Sequence, residues 1–178
     1  SSIKTWKRSP MQLIHDAVSS DLVAKCIGEI HSRQKLDVWG FSKWKWGQSL
    51  TKGMRNYCLS TRPSPEVINQ IKVSLNQYFC SPITNVNYHV WLPGSGINWH
   101  DDGENSAGGT LYLNTWVPEL GGVFMWKDKD TDELKCISPV ENMMIVNNNH
   151  ERHAVSPILA GENAQVRMSV QIFCKSND

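Results

Sequence analysis

The sequence predicts a mainly β protein with supporting N-terminal helices, an α+β chain whose core is a double-sheet jelly roll. Three observations carry that prediction. Apolar residues recur at helical spacing only before residue 82. From residue 83 onward the chain breaks into seven or eight short alternating segments, separated by turn signals such as Pro93-Gly94-Ser95-Gly96 and Gly121-Gly122. No repeat and no linker interrupts the 178 residues. Residues 1–178 therefore read as a single domain, with 1–84 as helical support and a substrate-side segment, and 85–175 as the β core.

The elements follow in order. Residues 10 to 32 read as a first helix, with Leu13, Ile14, Ala17 and Val18 on one stripe, continued by Leu22, Ala24, Cys26 and Ile27 after a break at Ser19-Ser20. Residues 36 to 60 change character. Trp39, Phe41, Trp44 and Trp46 lie among Lys43, Lys45, Lys52 and Arg55, as strand fragments joined by loops. Interleaved basic and aromatic residues can hold a nucleic acid strand, but a solvated sheet edge is the commoner meaning.

Pro63-Ser64-Pro65-Glu66 opens a second helix. Ser64 caps it, Pro65 fits its first turn, and Val67, Ile68, Ile71, Leu75 and Phe79 form its apolar stripe. In the strand Asn85 to Leu92, Tyr88, Val90 and Leu92 face one side, His89 and Trp91 the other. Residues 106–109 read as a loop and Thr110 to Asn114 as a strand. Strands follow over Val123–Lys127, Leu134–Ile137, Met143–Asn147, His153–Ile158 and Val166–Cys174.

Composition excludes several classes. A net charge of +1 supplies no field that demands nucleic acid or an anionic membrane. No apolar run reaches about 18 residues, so no membrane span is expected. Five scattered cysteines, none in a Cys-x-x-Cys unit, suggest buried thiols in a reducing compartment, and a cytoplasmic location is expected. Trp6-Lys7-Arg8 is not followed by an apolar signal core. Eight Trp are many for this length and allow for aromatic walls around a pocket.

The stretch that promises chemistry is Asn98-Trp99-His100-Asp101-Asp102-Gly103-Glu104. In an extended chain His100 and Asp102 share a face, and Asp101 points away. An imidazole and a carboxylate aimed at one point need a third donor to hold a metal. His153, in Arg152-His153-Ala154-Val155-Ser156-Pro157, is the best candidate. Two histidines and a carboxylate on one side of an ion are the facial triad of non-haem Fe(II) oxygenases. The spacing alone is a weak signal, since a short His-x-Asp is more often a surface pair. His150 is a rival ligand, set behind His153 because strand-like Ala154-Val155 follows the latter. His15, His31 and His89 read as ordinary structural or surface residues.

Further along, alternation puts Arg167, Ser169 and Gln171 on one face of the last strand. An inward arginine is costly unless it meets an anion, and its fork suits a carboxylate. Alone, pairing with a protein carboxylate or with solvent is the plainer reading. Beside a His-x-Asp…His set, a carboxylate co-substrate is the better one.

With these pieces in place, residues Asn85 to Lys175 resemble the Fe(II)/2-oxoglutarate oxygenases, and within them the prolyl 4-hydroxylase-like branch. His100-Asp101-Asp102, Thr110-Leu111-Tyr112-Leu113-Asn114, Gly121-Gly122-Val123-Phe124, His153-Ala154-Val155-Ser156-Pro157 and Arg167-Met168-Ser169 come in the family's order. The resemblance implies a double-stranded β-helix, a cupin-like jelly roll. It assigns His100, Asp102 and His153 to iron, as the catalytic triad. It assigns Arg167 and Tyr112 to the distal carboxylate of 2-oxoglutarate, with Ser169 assisting and Tyr88 and Trp91 near the pocket.

The loop between His153 and Arg167, with Ala160-Gly161-Glu162-Asn163-Ala164 in it, is several residues longer than in many prolyl hydroxylases. The implied cofactors are Fe(II), 2-oxoglutarate and O2, with ascorbate as an allowed addition. The implied reaction is hydroxylation of a substrate C–H with succinate and CO2 as co-products, most naturally on a prolyl residue of a protein or peptide. The segment from Trp39 to Tyr57 is the expected substrate wall.

Three alternatives stand beside this. A free amino acid or other small molecule would use the same chemistry. Ile97-Asn98-Trp99-His100 and Arg167-Met168-Ser169 also resemble AlkB-type nucleic acid demethylases, but Phe173-Cys174 occupies the region where that branch carries a second arginine, and the near-neutral charge disfavours a nucleic acid partner. A non-catalytic cupin-like binding module is opposed by the complete triad and Arg167.

Overall fold

The computed structural model describes residues 11–35, 41–160 and 165–176; Trp39 and loop residues 161–164 lie outside this set. Two antiparallel sheets face each other. Strands β1 (Gln12–Ile14), β2 (Ser42–Lys45), β3 (Tyr57–Thr61), β4 (Ile83–Trp91), β6 (Ala107–Tyr112), β9 (Met144–Asn147) and β11 (Arg167–Cys174) form the larger sheet, in the order β1-β9-β6-β11-β4-β3-β2. Strands β5 (Ile97–His100), β7 (Phe124–Lys127), β8 (Leu134–Ile137) and β10 (His153–Val155) form the smaller one, in the order β5-β10-β7-β8. Eight of these strands follow residue 82, as the alternation predicted.

Helices α1 (Ser20–Lys35) and α2 (Pro65–Leu75) pack on the outer face of the larger sheet. Helix α1 begins where the sequence suggested only a break. Ser19 Oγ accepts the Leu22 N–H at 3.2 Å, and Asp21 lies in the positive first turn. The residues before it are not helical. Gln12, Leu13 and Ile14 pair instead with Val146, Ile145 and Met144, and Asp16 turns the chain in the left-handed region, φ 49°. A three-residue strand is too short for its period to show. Helix α2 follows expectation, with Ser64 Oγ accepting the Val67 N–H at 3.3 Å and Val67, Ile71 and Leu75 buried.

The sheet alternation divides the interior into two cores. Val86, Tyr88, Val90, Leu111, Val170 and Ile172 point outward against Cys26, Ile30, Ile71 and Leu75 of the helices. Trp91, Tyr112, Trp116, Phe124, Trp126 and Ile145 point inward between the sheets. Residues 107–109 belong to β6 rather than to a loop. Glycine is needed at Gly109, where a Cβ would meet Phe79 Cζ at 2.8 Å and the Ile145 carbonyl at 3.1 Å. The close approach of Phe79, just beyond α2, and not a turn, accounts for Gly109.

Candidate metal and co-substrate site

A cavity of about 600 Å³ opens between the two sheets. Strand pairing determines what faces it. Trp91 is opposite Arg167, and His89 is opposite Ser169, which is in turn opposite Tyr112. Across the gap, β10 pairs His153 with His100 of β5 and Trp126 of β7.

His100 is the last residue of β5, so strand alternation does not continue to Asp102. The chain turns, Asp101 Oδ1 accepts the Gly103 N–H at 3.0 Å, and Asp102 adopts φ 58°. This left-handed residue brings its carboxylate back over the strand end. Oδ1 lies 3.2 Å from His100 Nε2, and Oδ2 lies 3.0 Å from His153 Nε2. One donor atom from each of the three residues falls within 4.8 Å of the others.

Both imidazoles are held by their second nitrogen. His100 Nδ1 lies 2.8 Å from the Asn98 carbonyl, and His153 Nδ1 lies 2.8 Å from that of Glu151. A carbonyl only accepts, so each Nδ1 carries the proton and each Nε2 is a lone-pair donor toward the common point. Asn147 supports the second of these. Its Oδ1 accepts the Glu151 N–H at 3.1 Å, and its Nδ2 donates to the Glu151 carbonyl at 2.9 Å. Phe124 stacks on the His153 ring at 5.5 Å.

Burial opposes ionisation of Asp102, but hydrogen bonds and charge from His100 and His153 outweigh it and hold the carboxyl well below its usual range. Burial likewise disfavours a charged His100, and the Asp102 contact overcomes it, raising that pKa. Two neutral nitrogens and one anionic oxygen on one side of a point fit a divalent iron with open positions. His150 is outside the group; its Nε2 meets the Asn105 carbonyl at 2.5 Å on the surface.

Arg167 is 2% exposed. Its Nη1 donates to the Gly122 carbonyl at 2.6 Å, while Nε and Nη2 have no partner among the described residues, and no carboxylate there pairs with it. Its guanidinium carbon lies 5.1 Å from the Tyr112 ring centre and 4.9 Å from that of Trp116. Burial lowers its pKa, with Tyr112 opposing, and it remains a cation. Burial pushes the Tyr112 hydroxyl up to about 12, with Arg167 pulling the other way, so it stays protonated. Gly122 makes room for this arrangement: a Cβ there would meet Arg167 Nη1 at 2.5 Å. A buried cation with two unspent donors beside a cavity has the chemistry to receive an anion.

Ser169 is buried, and its hydroxyl accepts from Trp91 Nε1 at 3.3 Å, so it supports the cavity wall. Tyr88 requires a correction. It faces the helices, where its hydroxyl donates to Glu29 Oε1 at 2.7 Å, and it is absent from the cavity lining. The parity of β4 dictates this, since a residue sharing a face with Val90 cannot share one with Trp91. Trp91 and His89 line the cavity instead, with Trp44 and Trp46 from the segment expected to form a wall. Phe41, of that same segment, packs against the helix-side core. His89, which the sequence reads as an ordinary structural or surface residue, is buried and lines the cavity, as its alternation with Trp91 allows; Gln171 also lines it, and the support from Asn147 has no signal in the sequence.

The family model described as the 2OG-Fe(II) oxygenase superfamily matches residues 85–175. The chain belongs to this superfamily. The oxygenase thus uses Fe(II), 2-oxoglutarate and O2, and its jelly roll is the double-stranded β-helix. No curated protein matches it by sequence.

Solved structures share its fold. A Pseudomonas putida prolyl-4-hydroxylase superposes with a TM-score of 0.68 at 17% identity, over 93% of the oxygenase and 92% of that chain. A Trichoplax adhaerens prolyl hydroxylase, in complex with a hypoxia-inducible-factor peptide fragment, gives 0.66 at 12% identity, over 92% and 82%. The α-ketoglutarate-dependent epimerase SnoN from nogalamycin biosynthesis gives 0.66 at 9% identity, over 94% and 79%. Among the described residues, no helix is long and apolar enough to cross a membrane.

Proposed function

We propose that the oxygenase hydroxylates a prolyl residue in a peptide, with His100, Asp102 and His153 holding Fe(II) and Arg167 holding the distal carboxylate of 2-oxoglutarate. The carrying observation is the pair of unpartnered Arg167 donors, buried in the cavity that the three-donor cluster also lines. Iron, 2-oxoglutarate and O2 together supply the oxidising power that turns a C–H bond into C–OH, with succinate and CO2 released.

The chain's own residues do the rest. Arg167 and Tyr112 fix one end of 2-oxoglutarate, by a charge-assisted fork and a protonated hydroxyl. Asn98 and Glu151 hold the histidine tautomers through their carbonyls. Trp46, Trp91 and Phe124 exclude water from the reacting carbon. Trp44 and Trp46 offer flat apolar faces suited to a proline ring, and an extended proline-rich peptide loses little entropy on binding. Prolyl hydroxylases, one of them in complex with a peptide fragment, are among the structures that share the fold, in keeping with the peptide reading.

The test is to offer proline-containing peptides with Fe(II) and 2-oxoglutarate and read both succinate and peptide mass. One added oxygen on proline per succinate is expected. Turnover of a methylated oligonucleotide or of a free amino acid, with every peptide left unoxidised, overturns the proposal.

A further inference from the structure

His89 is 3% exposed, and neither of its ring nitrogens has a hydrogen-bond partner among the described residues. Its neighbours across β4 on the same face are Ser60 of β3 and Ser169 of β11. Neither supplies a bond; the Ser169 hydroxyl already takes the Trp91 indole N–H. The closest ring is Trp44, with centroids 5.3 Å apart at 45°. The ring lines the same cavity as the metal cluster and Arg167.

A buried imidazole with nothing to bond to costs stability and repays nothing inside the chain. Arg167 shows the same signature, and there the missing partner is an anion. His89 differs in kind and in place. Burial holds its ring pKa down at about 4, so at neutral pH it is an uncharged donor and acceptor. Its strand lies between β11, which carries Arg167, and β3, toward the edge strand β2 that carries Trp44. The cavity therefore has two polar anchors on adjacent strands, offset by two residues along the strands: a cationic one on β11, opposite Trp91, and a neutral one on β4, opposite Ser169 and beside Trp44.

We propose that His89 is a binding residue for the primary substrate, and that it hydrogen-bonds an uncharged amide carbonyl flanking the ring that packs on Trp44. This deepens the prolyl-peptide reading and rests on it for the identity of the ring. An imidazole N–H suits the acyl carbonyl of a prolyl residue, whose own nitrogen carries no hydrogen. A charged group would find no counter-charge in a neutral imidazole, so the subsite selects against acidic and basic side chains at that point.

The test uses the full chain loaded with Zn(II), as a diamagnetic stand-in for iron, and 2-oxoglutarate. N-acetylproline methylamide is titrated in, and the histidine ring nitrogens are followed by proton–nitrogen correlation. The expected result is a saturable shift of the His89 ring nitrogens. In His89→Phe, which keeps the ring volume without its nitrogens, the probe's dissociation constant should rise about 10- to 100-fold. In His89→Gln, which keeps a donor and an acceptor, it should recover in part. The affinity for 2-oxoglutarate should move less than about twofold in both, because that ligand belongs to the Arg167 anchor.

An unmoved His89 signal at saturating probe overturns the inference, as does a His89→Phe variant whose loss falls on 2-oxoglutarate instead. Peptide turnover by the iron-loaded wild type is scored separately. Hydroxylation without a His89 shift refutes the inference and spares the prolyl reading. A shift without hydroxylation does the reverse.

Discussion

Replacing Arg167 by methionine separates a structural arginine from one kept in waiting for a ligand. In the free protein the guanidinium makes one hydrogen bond, to Gly122, and leaves Nε and Nη2 unpartnered among the described residues. Two unmet buried donors cost about 2–6 kcal/mol together. The bond to Gly122 returns about 1.5–3 kcal/mol, and the Tyr112 and Trp116 faces about 1–2 kcal/mol each. These sums nearly cancel, so Arg167→Met should leave the ligand-free protein within about 2 kcal/mol of wild type. Replacing an arginine that was paired with a buried protein carboxylate would cost about 3–5 kcal/mol, because that carboxylate is left unpaired.

The ligand then discriminates. At a concentration a hundredfold above its dissociation constant, 2-oxoglutarate stabilises wild type by about 2.7 kcal/mol. In a chain of this length that raises Tm by roughly 5–11 °C. The variant should bind 2-oxoglutarate more weakly by about 2–5 kcal/mol, a factor of roughly 30 to 5000. At the same concentration it gains under about 1 kcal/mol. The assay is thermal unfolding at fixed divalent metal, with and without 2-oxoglutarate. A ligand-free loss above about 3 kcal/mol, or an undiminished shift with 2-oxoglutarate, would refute the reasoning.

Three other outcomes follow from the same geometry. Asn147→Ala releases the Glu151 carbonyl that orients His153, and should weaken metal affinity about 10- to 100-fold in a Co(II) titration with the fold intact; unchanged affinity would show that the turn holds itself. Tyr88→Phe should cost about 1 kcal/mol by losing the bond to Glu29, yet leave 2-oxoglutarate affinity unchanged; a tenfold loss of that affinity would mean Tyr88 reaches the cavity after all. His89 has a folded-state pKa of about 4 against 6.5 for the free ring, so the unfolded chain binds more protons between those values. Stability from this group is complete above pH 6.5 and falls as pH drops toward 4, by about 3 kcal/mol. Denaturant unfolding of wild type and His89→Gln from pH 4 to 7 should show this slope in the first only, and parallel curves would count against a neutral buried ring.

Parity along strands is what made most of the site legible. Arg167, Ser169 and Gln171 on one face of β11, and His89 and Trp91 opposite Tyr88 and Val90 on β4, are visible as alternation in the sequence. The same alternation should have removed Tyr88 from the pocket, and resemblance overrode it. The convergence of His100 and Asp102 was anticipated for a reason the structure replaces. Their carboxylate-to-imidazole contact depends on a left-handed turn after β5, and aspartate adopts that conformation without announcing it. Gly109 stands in β6 and leaves space for Phe79, and Gly122, besides turning the chain at φ 64°, leaves space for Arg167; no local pattern reveals an approach from elsewhere in the chain. The unspent nitrogens of His89 were out of reach for the same reason, because an absent partner has no sequence signature.

The place of β11 in the larger sheet bears on how the protein is made. The strand that carries Arg167 is translated after every other described strand, yet it lies at the sheet's centre, hydrogen-bonded to β6 on one side and β4 on the other. A nascent chain that has not yet released it holds two part-sheets, each with a bare inner edge, and cannot join them. Those edges are sticky, so an interrupted product is a target for chaperones and proteases. Such a product contains all three candidate metal donors, His100, Asp102 and His153, and lacks Arg167. On the assignment proposed above, closing the sheet and completing the co-substrate pocket are therefore one event.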